Sequence, residues 1–247
     1  MPEGKISSLI EHLEELRRSI IWILIVLIIA MTGGFFIAKP FINYLKSVPP
    51  ASDITWNAFS PLDALRIYVQ FSFVIGLVVA LPFIMYQIWA YVKPGLHEEE
   101  QKGTLAYIPG ATILFLLGLA FAYYILFPMA FYFTSGVSKG LGLTETYGIA
   151  QYFSFMFNIL IPVSILFELP IVTMFLTKLR ILNPQRLKKL RRYAYFLLVI
   201  IATVITPPDF ISDFLVSIPL FVLYEISIIM SGWVYRKQSK ILGNHFS

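Results

Sequence analysis

The chain has 247 residues, 58% hydrophobic and only 13% charged, with a net charge of +5 and no cysteine. Soluble domains average about 25% charged residues, so lipid must be the solvent for most of this surface. Disulfides, thiol nucleophiles and cysteine-ligated metals are excluded, and His12, His97 and His245 are scattered outside the apolar runs, so neither a metal site nor a cofactor is expected.

The N-terminal stretch "ISSLIEHLEELRRSI" places Ser8 and Glu11 at capping-box spacing and Ile10, Leu13 and Leu16 at helical intervals, which predicts an amphipathic helix running into the first span. Glu11 and Glu15 fall one turn apart on its polar face. A small-residue cleavage pattern is lacking, so the first span, not a removed leader, is expected to direct insertion. Windows of about 19 residues place spans near 20–38, 70–92, 105–133, 150–178, 193–206 and 213–234. The expectation is an all-α polytopic membrane protein, one integral membrane domain over residues 1–247 with six transmembrane helices. The fifth is short: Tyr193 to Ile205 extends only about 20 Å at 1.5 Å per residue, which calls for a locally thinned bilayer or a re-entrant hairpin of spans five and six.

Between the first two spans, residues 39–70 form a loop too long for a simple turn. Pro49 and Pro50 interrupt it, and "SPLDALRIY" offers Ser60 as N-cap, Pro61 in the first helical position and Asp63 in the first turn, so a folded extracytoplasmic cap is expected. "TPPDFISD", residues 206–213, reads as a tight proline turn on the same face. With the N-terminus cytoplasmic, fifteen of the nineteen Lys and Arg lie on the cytoplasmic side and only Lys39, Lys46, Arg66 and Lys139 lie opposite. The positive-inside rule then selects both termini cytoplasmic. The basic balance is topological, and no nucleic-acid partner is expected.

Proline recurs inside the spans, at Pro82, Pro109, Pro128, Pro162, Pro170 and Pro219. Each removes a backbone donor and bends its helix, which suggests a concave, cupped bundle. Polar groups break the apolar pattern in three places. Glu168 lies mid-span, where a carboxylate costs a few kcal/mol on insertion scales and usually faces a bundle interior or cavity. Ser164 is one turn earlier on the same face, Glu225 repeats the problem in the sixth span, and Gln87 adds a polar group in the second. The other two places are the N-terminal acids and "YVKPGLHEEEQK", residues 91–102. These acids either pair with Arg17, Arg18 and Lys102 or accept a cationic ligand. Metalloprotease, nucleophile-elbow and phosphate-loop motifs are all missing, so the chain does not read as an enzyme. Two candidates stay open on the residues alone: a proton-coupled small-solute carrier using Glu168, or a receptor or scaffold for membrane and peptide partners.

From about residue 8 to residue 235, "HLEELRRSI", "LPFIMYQIWAYVKPGLHEEE", "FAYYILFPMAF", "FELP", "TPPD" and "IPLFVLYEI" together resemble the TatC family, the six-span receptors of the twin-arginine protein translocase. The resemblance implies an inner-membrane protein that binds Arg-Arg signal peptides of folded precursors at the cytoplasmic face. It also implies recruitment of single-span TatA-type and TatB-type partners, self-association in the active complex, and a passage driven by the proton gradient without ATP. Carried over by position, the family's N-terminal acid falls on Glu15, its loop acid on Glu100 and its membrane glutamate on Glu168. The loop aromatic, usually Phe in the family, is Tyr91 here. The expected signal-peptide contacts are therefore Glu15, Glu100, Tyr91 and Arg17. Glu168, Ser164, Gln87 and Asp213 are expected to meet partner helices, while Pro82, Pro170, Asp209 and Glu225 are assigned to bundle structure or coupling.

Overall fold

Helix α1 (Glu3–Lys46) continues well beyond both ends of its apolar run, through Pro40, for 44 residues. The computed structural model describes residues 3–52, 54–95, 101, 104–205 and 210–244, most of them helical. Because α1 starts at Glu3, Ser8 and Glu11 lie inside the helix, not at a capping box that opens it. At its other end Ala38, Ile42 and Leu45 bury one face at spacings of four and three. That packing holds the helix together past the donor lost at Pro40, so the connecting loop shrinks from the expected 39–70 to 47–62.

The loop is folded. Trp56 stacks on Phe153 with centroids 5.8 Å apart and an interplanar angle of 9°. Asn57 donates its N–H to Tyr147 O at 3.3 Å and accepts from Ile149 N at 2.8 Å, tying the cap to the distant 141–148 connection. Helix α2 (Asp63–Val92) then begins two residues later than expected, with Leu62 rather than Ser60 at its N-cap. Asp63 reaches backward: its Oδ2 accepts the N–H groups of Phe59 at 2.9 Å and Ser60 at 3.0 Å. Ser60 Oγ accepts only the Leu62 N–H, at 3.3 Å. The carboxylate satisfies two donors where a hydroxyl serves one, and so fixes the start.

α1 packs chiefly on α2, and glycine makes the crossing close. A Cβ on Gly76 would lie 2.8 Å from Met31 N, and one on Gly34 would lie 2.9 Å from Ser72 O. In lipid, where apolar burial gives little drive between helices, such close backbone approach is a main source of association.

The third membrane element is helix α3 (Tyr107–Phe121), a π turn at Ala122–Leu126 and helix α4 (Phe127–Gly140). Pro128 cannot donate to the carbonyl four residues back, and its ring crowds that carbonyl. The widened turn, in which Phe127 N–H reaches Ala122 O, relieves the clash. Helix α5 (Ile149–Leu166) and helix α6 (Leu169–Lys178) make the fourth, broken at Phe167 and Glu168 because Pro170 stands in the first turn of α6. There the Glu168 N–H bonds Ile165 O at 3.0 Å, one residue tighter than an α-helical bond. Pro170 is buried, while Pro82 lies exposed within α2.

Helices α7 (Pro184–Ile205) and α8 (Phe210–Asn244) bring the bundle to six helical segments among the described residues. Among the described residues, five segments are long and apolar enough to cross a membrane: Leu13–Lys46, Asp63–Val92, Tyr107–Gly140, Ile149–Lys178 and Val216–Gln238. α7 is the sixth and the short one, because Lys188, Lys189, Arg191 and Arg192 occupy its first half. Buried Leu198, Ala202 and Ile205 press its apolar half onto the bundle. Polar side chains stitch α6 to α8: Thr177 Oγ1 and Ser231 Oγ are 2.7 Å apart, and Gln238 Nε2 donates to Lys178 O at 2.8 Å. Phe71 of α2 sits at the centre of the core, edge-on to Phe153 and Phe157.

Candidate functional site

The break at Phe167 and Glu168 interrupts the fourth element beside a cavity of about 700 Å³. The end of α2 lines it with Met85, Ile88, Trp89, Tyr91 and Val92, the start of α3 with Tyr107 and Ile108, and α6 with Ile171, Val172, Phe175 and Leu176. Glu168 is its one carboxylate among the described lining residues. The residue is only 8% exposed, and neither carboxylate oxygen has a hydrogen-bond partner among the described residues. A buried acceptor left unsatisfied costs about 1–3 kcal/mol, so the site holds a standing preference for a polar group that enters the cavity.

One side of the cavity is braced. The Trp89 indole N–H donates to Thr104 Oγ1 at 3.0 Å, Thr104 Oγ1 donates in turn to Gln101 O at 3.0 Å, and the Lys93 ammonium lies 5.4 Å from the Trp89 ring centroid. Gly118 of α3 lets the other side close up, since a Cβ there would meet Ser164 Cα at 2.8 Å and Phe167 Cβ at 2.9 Å. The result is a largely apolar cup with a fixed rim and one carboxylate. Chemically it suits an apolar helix that carries a hydrogen-bond donor.

The expected site residues are only partly brought together. Tyr91 and Glu168, assigned to different partners on sequence grounds, line the same cavity. Ser164 donates its hydroxyl back to Leu160 O at 2.6 Å and does not bond Glu168. Gln87 is half-buried and does not line the cavity, because the phase of α2 presents Ile88 and Trp89 instead. Asp213 accepts a hydrogen bond from Thr203 Oγ1 at 3.2 Å, joining α7 to α8 away from the cup. Glu15 and Arg17 are exposed on α1, while Glu100 and Asp209 lie outside the described residues.

Glu225 is a different case from Glu168. Its Oε2 accepts from Arg191 Nη2 at 2.6 Å and its Oε1 from the Tyr195 hydroxyl at 2.6 Å, so its charge is answered within the α7–α8 pair. The Trp89–Thr104 hydrogen bond has no local sequence signal, whereas the Lys93–Trp89 ring contact follows from their spacing of one helical turn.

Fold and cavity together define a multi-pass α-helical membrane protein with a cupped recess around the buried Glu168. Residues 11–219 match the family described as "Sec-independent protein translocase protein (TatC)". The chain is 49% identical over 234 residues to the Sec-independent protein translocase protein TatC of Halalkalibacterium halodurans, covering 95% of this chain and 92% of that protein. It is 46% identical over 233 residues to TatCy of Bacillus subtilis, covering 94% of this chain and 92% of the relative. A crystal structure described as the twin arginine translocase receptor TatC superposes with a TM-score of 0.78 at 31% identity, covering 90% of this chain and 99% of that one. The chain belongs to the TatC family and is a membrane subunit of a Sec-independent protein translocase.

Proposed function

We propose that this chain is the receptor subunit of a twin-arginine translocase, which binds Arg-Arg signal peptides of folded precursors at the cytoplasmic face and offers its cup to single-span TatA-type and TatB-type helices. On this reading it lies in the cytoplasmic (inner) membrane with both termini cytoplasmic, self-associates in the active complex and is driven by the proton gradient. The observation that carries the reading is the enclosed Glu168 carboxylate in a cavity open enough, at about 700 Å³, to admit side chains of a second helix. Family membership and the charge asymmetry of the loops support it.

For the signal peptide, the reading assigns Glu15 and Glu100 as acceptors and Tyr91 as an aromatic contact. An Arg guanidinium is a planar fork that a carboxylate accepts bidentately, whereas Lys is a point charge. A ligand Arg drawn out of water gains charge-assisted hydrogen bonds worth about 1.5–3 kcal/mol, against under about 1 kcal/mol for an exposed pair. The test is a titration of Arg-Arg and Lys-Lys peptides against Glu15→Gln and Glu100→Gln, with Glu98→Gln and Glu99→Gln as comparators. The first two should weaken the Arg-Arg peptide roughly tenfold and the Lys-Lys peptide less. Equal losses at every loop acid would mean diffuse electrostatics, and small-solute flux through liposomes holding this chain alone would favour a carrier.

A further inference from the structure

A second cavity, of about 520 Å³, opens where Asn183, the basic start of α7 and the middle of α8 meet. Its charged lining is Lys188, Arg191 and Arg236 against Glu225 alone. Arg191 spends Nη2 on Glu225, but its Nε is buried and has no acceptor among the described residues. A buried guanidinium N–H without an acceptor is costly, and here it belongs to a residue lining a net-positive recess. The α7 N-terminus adds to the field. Asn183 Oδ1 caps the Arg186 N–H at 2.7 Å, and Pro184 and Gln185 form the first turn, where the positive end of the helix dipole lies.

What enters is indicated by the surface below. Val222, Ile226, Ile229 and Trp233 follow one another at helical spacings of four, three and four along α8, and each is 40% to 74% exposed. Ile229 and Trp233 also line the recess, so the apolar stripe leads directly into the basic pocket. An aromatic at the mouth of such a pocket marks headgroup depth. We infer that this recess binds the headgroup of an anionic phospholipid. Lys188, Arg236 and the Arg191 guanidinium hold the phosphate oxyanion while an acyl chain lies along the α8 stripe. Basic pockets between membrane helices recognise acidic headgroups in this way, and a free phosphate shares the oxyanion but cannot use the stripe.

The test uses the full chain in neutral detergent with equimolar phosphatidylglycerol and phosphatidylcholine, and native mass spectrometry to read the ratio of the two singly lipid-bound forms. The intact protein should retain phosphatidylglycerol over phosphatidylcholine by roughly fivefold or more, and Lys188→Gln or Arg236→Gln should each lower that preference by roughly fivefold. Lys139→Gln, at the far end of the bundle, should leave it unchanged, and excess inorganic phosphate should not displace the lipid. A preference untouched by both recess substitutions, or lost equally in Lys139→Gln, overturns the inference. Complete displacement by inorganic phosphate overturns the assignment to lipid. Lys188 is exposed, so its substitution reads the site even where Arg236→Gln disturbs the helix.

Discussion

Replacing Glu168 should stabilise the protein while disabling it. The side chain is 8% exposed and neither carboxylate oxygen is bonded within the described structure, so folding incurs the desolvation cost of this group without recovering it. Leucine has nearly the same reach and no polar atom to satisfy. Removing the unsatisfied group returns about 1–3 kcal/mol, and for a chain of this size each kcal/mol moves the thermal midpoint by about 2–4 °C. Glu168→Leu should therefore raise the midpoint in detergent by several degrees. Glu168→Gln keeps a polar amide in the cup and should change it much less. Assembly with single-span partners, read by co-purification from membranes, should fall sharply in Glu168→Leu and survive largely in Glu168→Gln. A lowered midpoint for Glu168→Leu would refute the reasoning, because it would mean the carboxylate supports the fold and is not held for a visitor. Stability gained where function is lost is the general mark of a side chain retained for binding.

Three further outcomes follow from packing and charge. Gly76→Ala should cost about 1–3 kcal/mol by overpacking, since its Cβ would lie 2.8 Å from the Met31 backbone, while Gly136→Ala, which meets nothing within 4 Å, should be neutral or slightly stabilising. Unfolding midpoints of the two variants measured side by side check this. Glu225→Ala should cost about 1–2 kcal/mol, less than a fully buried pair because Arg191 and Glu225 side chains are 43% and 35% exposed; Glu225→Gln, still an acceptor for Tyr195, should lose less in the same assay. Reporters fused after Gly95, near Gln185 and at the C-terminus should read cytoplasmic and one near Ser52 external, and the opposite pattern would remove the proposed signal-peptide face.

The membrane helices were legible because about 30 Å of hydrocarbon dictates long apolar runs, and the shortfall of α7 was legible for the same reason, from the basic residues in its first half. Glu168 stood out because lipid makes any carboxylate conspicuous. What the sequence could not carry was phase and partnership. Gln87 is the polar residue near the end of α2 and so attracted attention, yet the helix turns Trp89 and Tyr91 into the cup. Nothing local distinguishes Glu225, answered by Arg191 and Tyr195 on another helix, from Glu168, answered by no described residue. Ser60 does not cap α2, because the Asp63 carboxylate folds the preceding turn back onto itself by accepting the Phe59 and Ser60 N–H groups and the helix starts two residues later.

The length of α1 has a mechanical consequence. Only 6% of its most apolar window is buried within the chain, and α2 grips it near Gly34 and Met31. From that fulcrum to Glu15 the helix reaches about 28 Å at 1.5 Å per residue, with no proline in between. It is a lever: a tilt of about 5° at the glycine crossing swings Glu15 by roughly 2.5 Å over that arm, and a load applied at Glu15 returns as torque on the cap, where Ala38, Ile42 and Leu45 are seated. Whatever pulls on the acidic end of this helix is felt on the other side of the membrane.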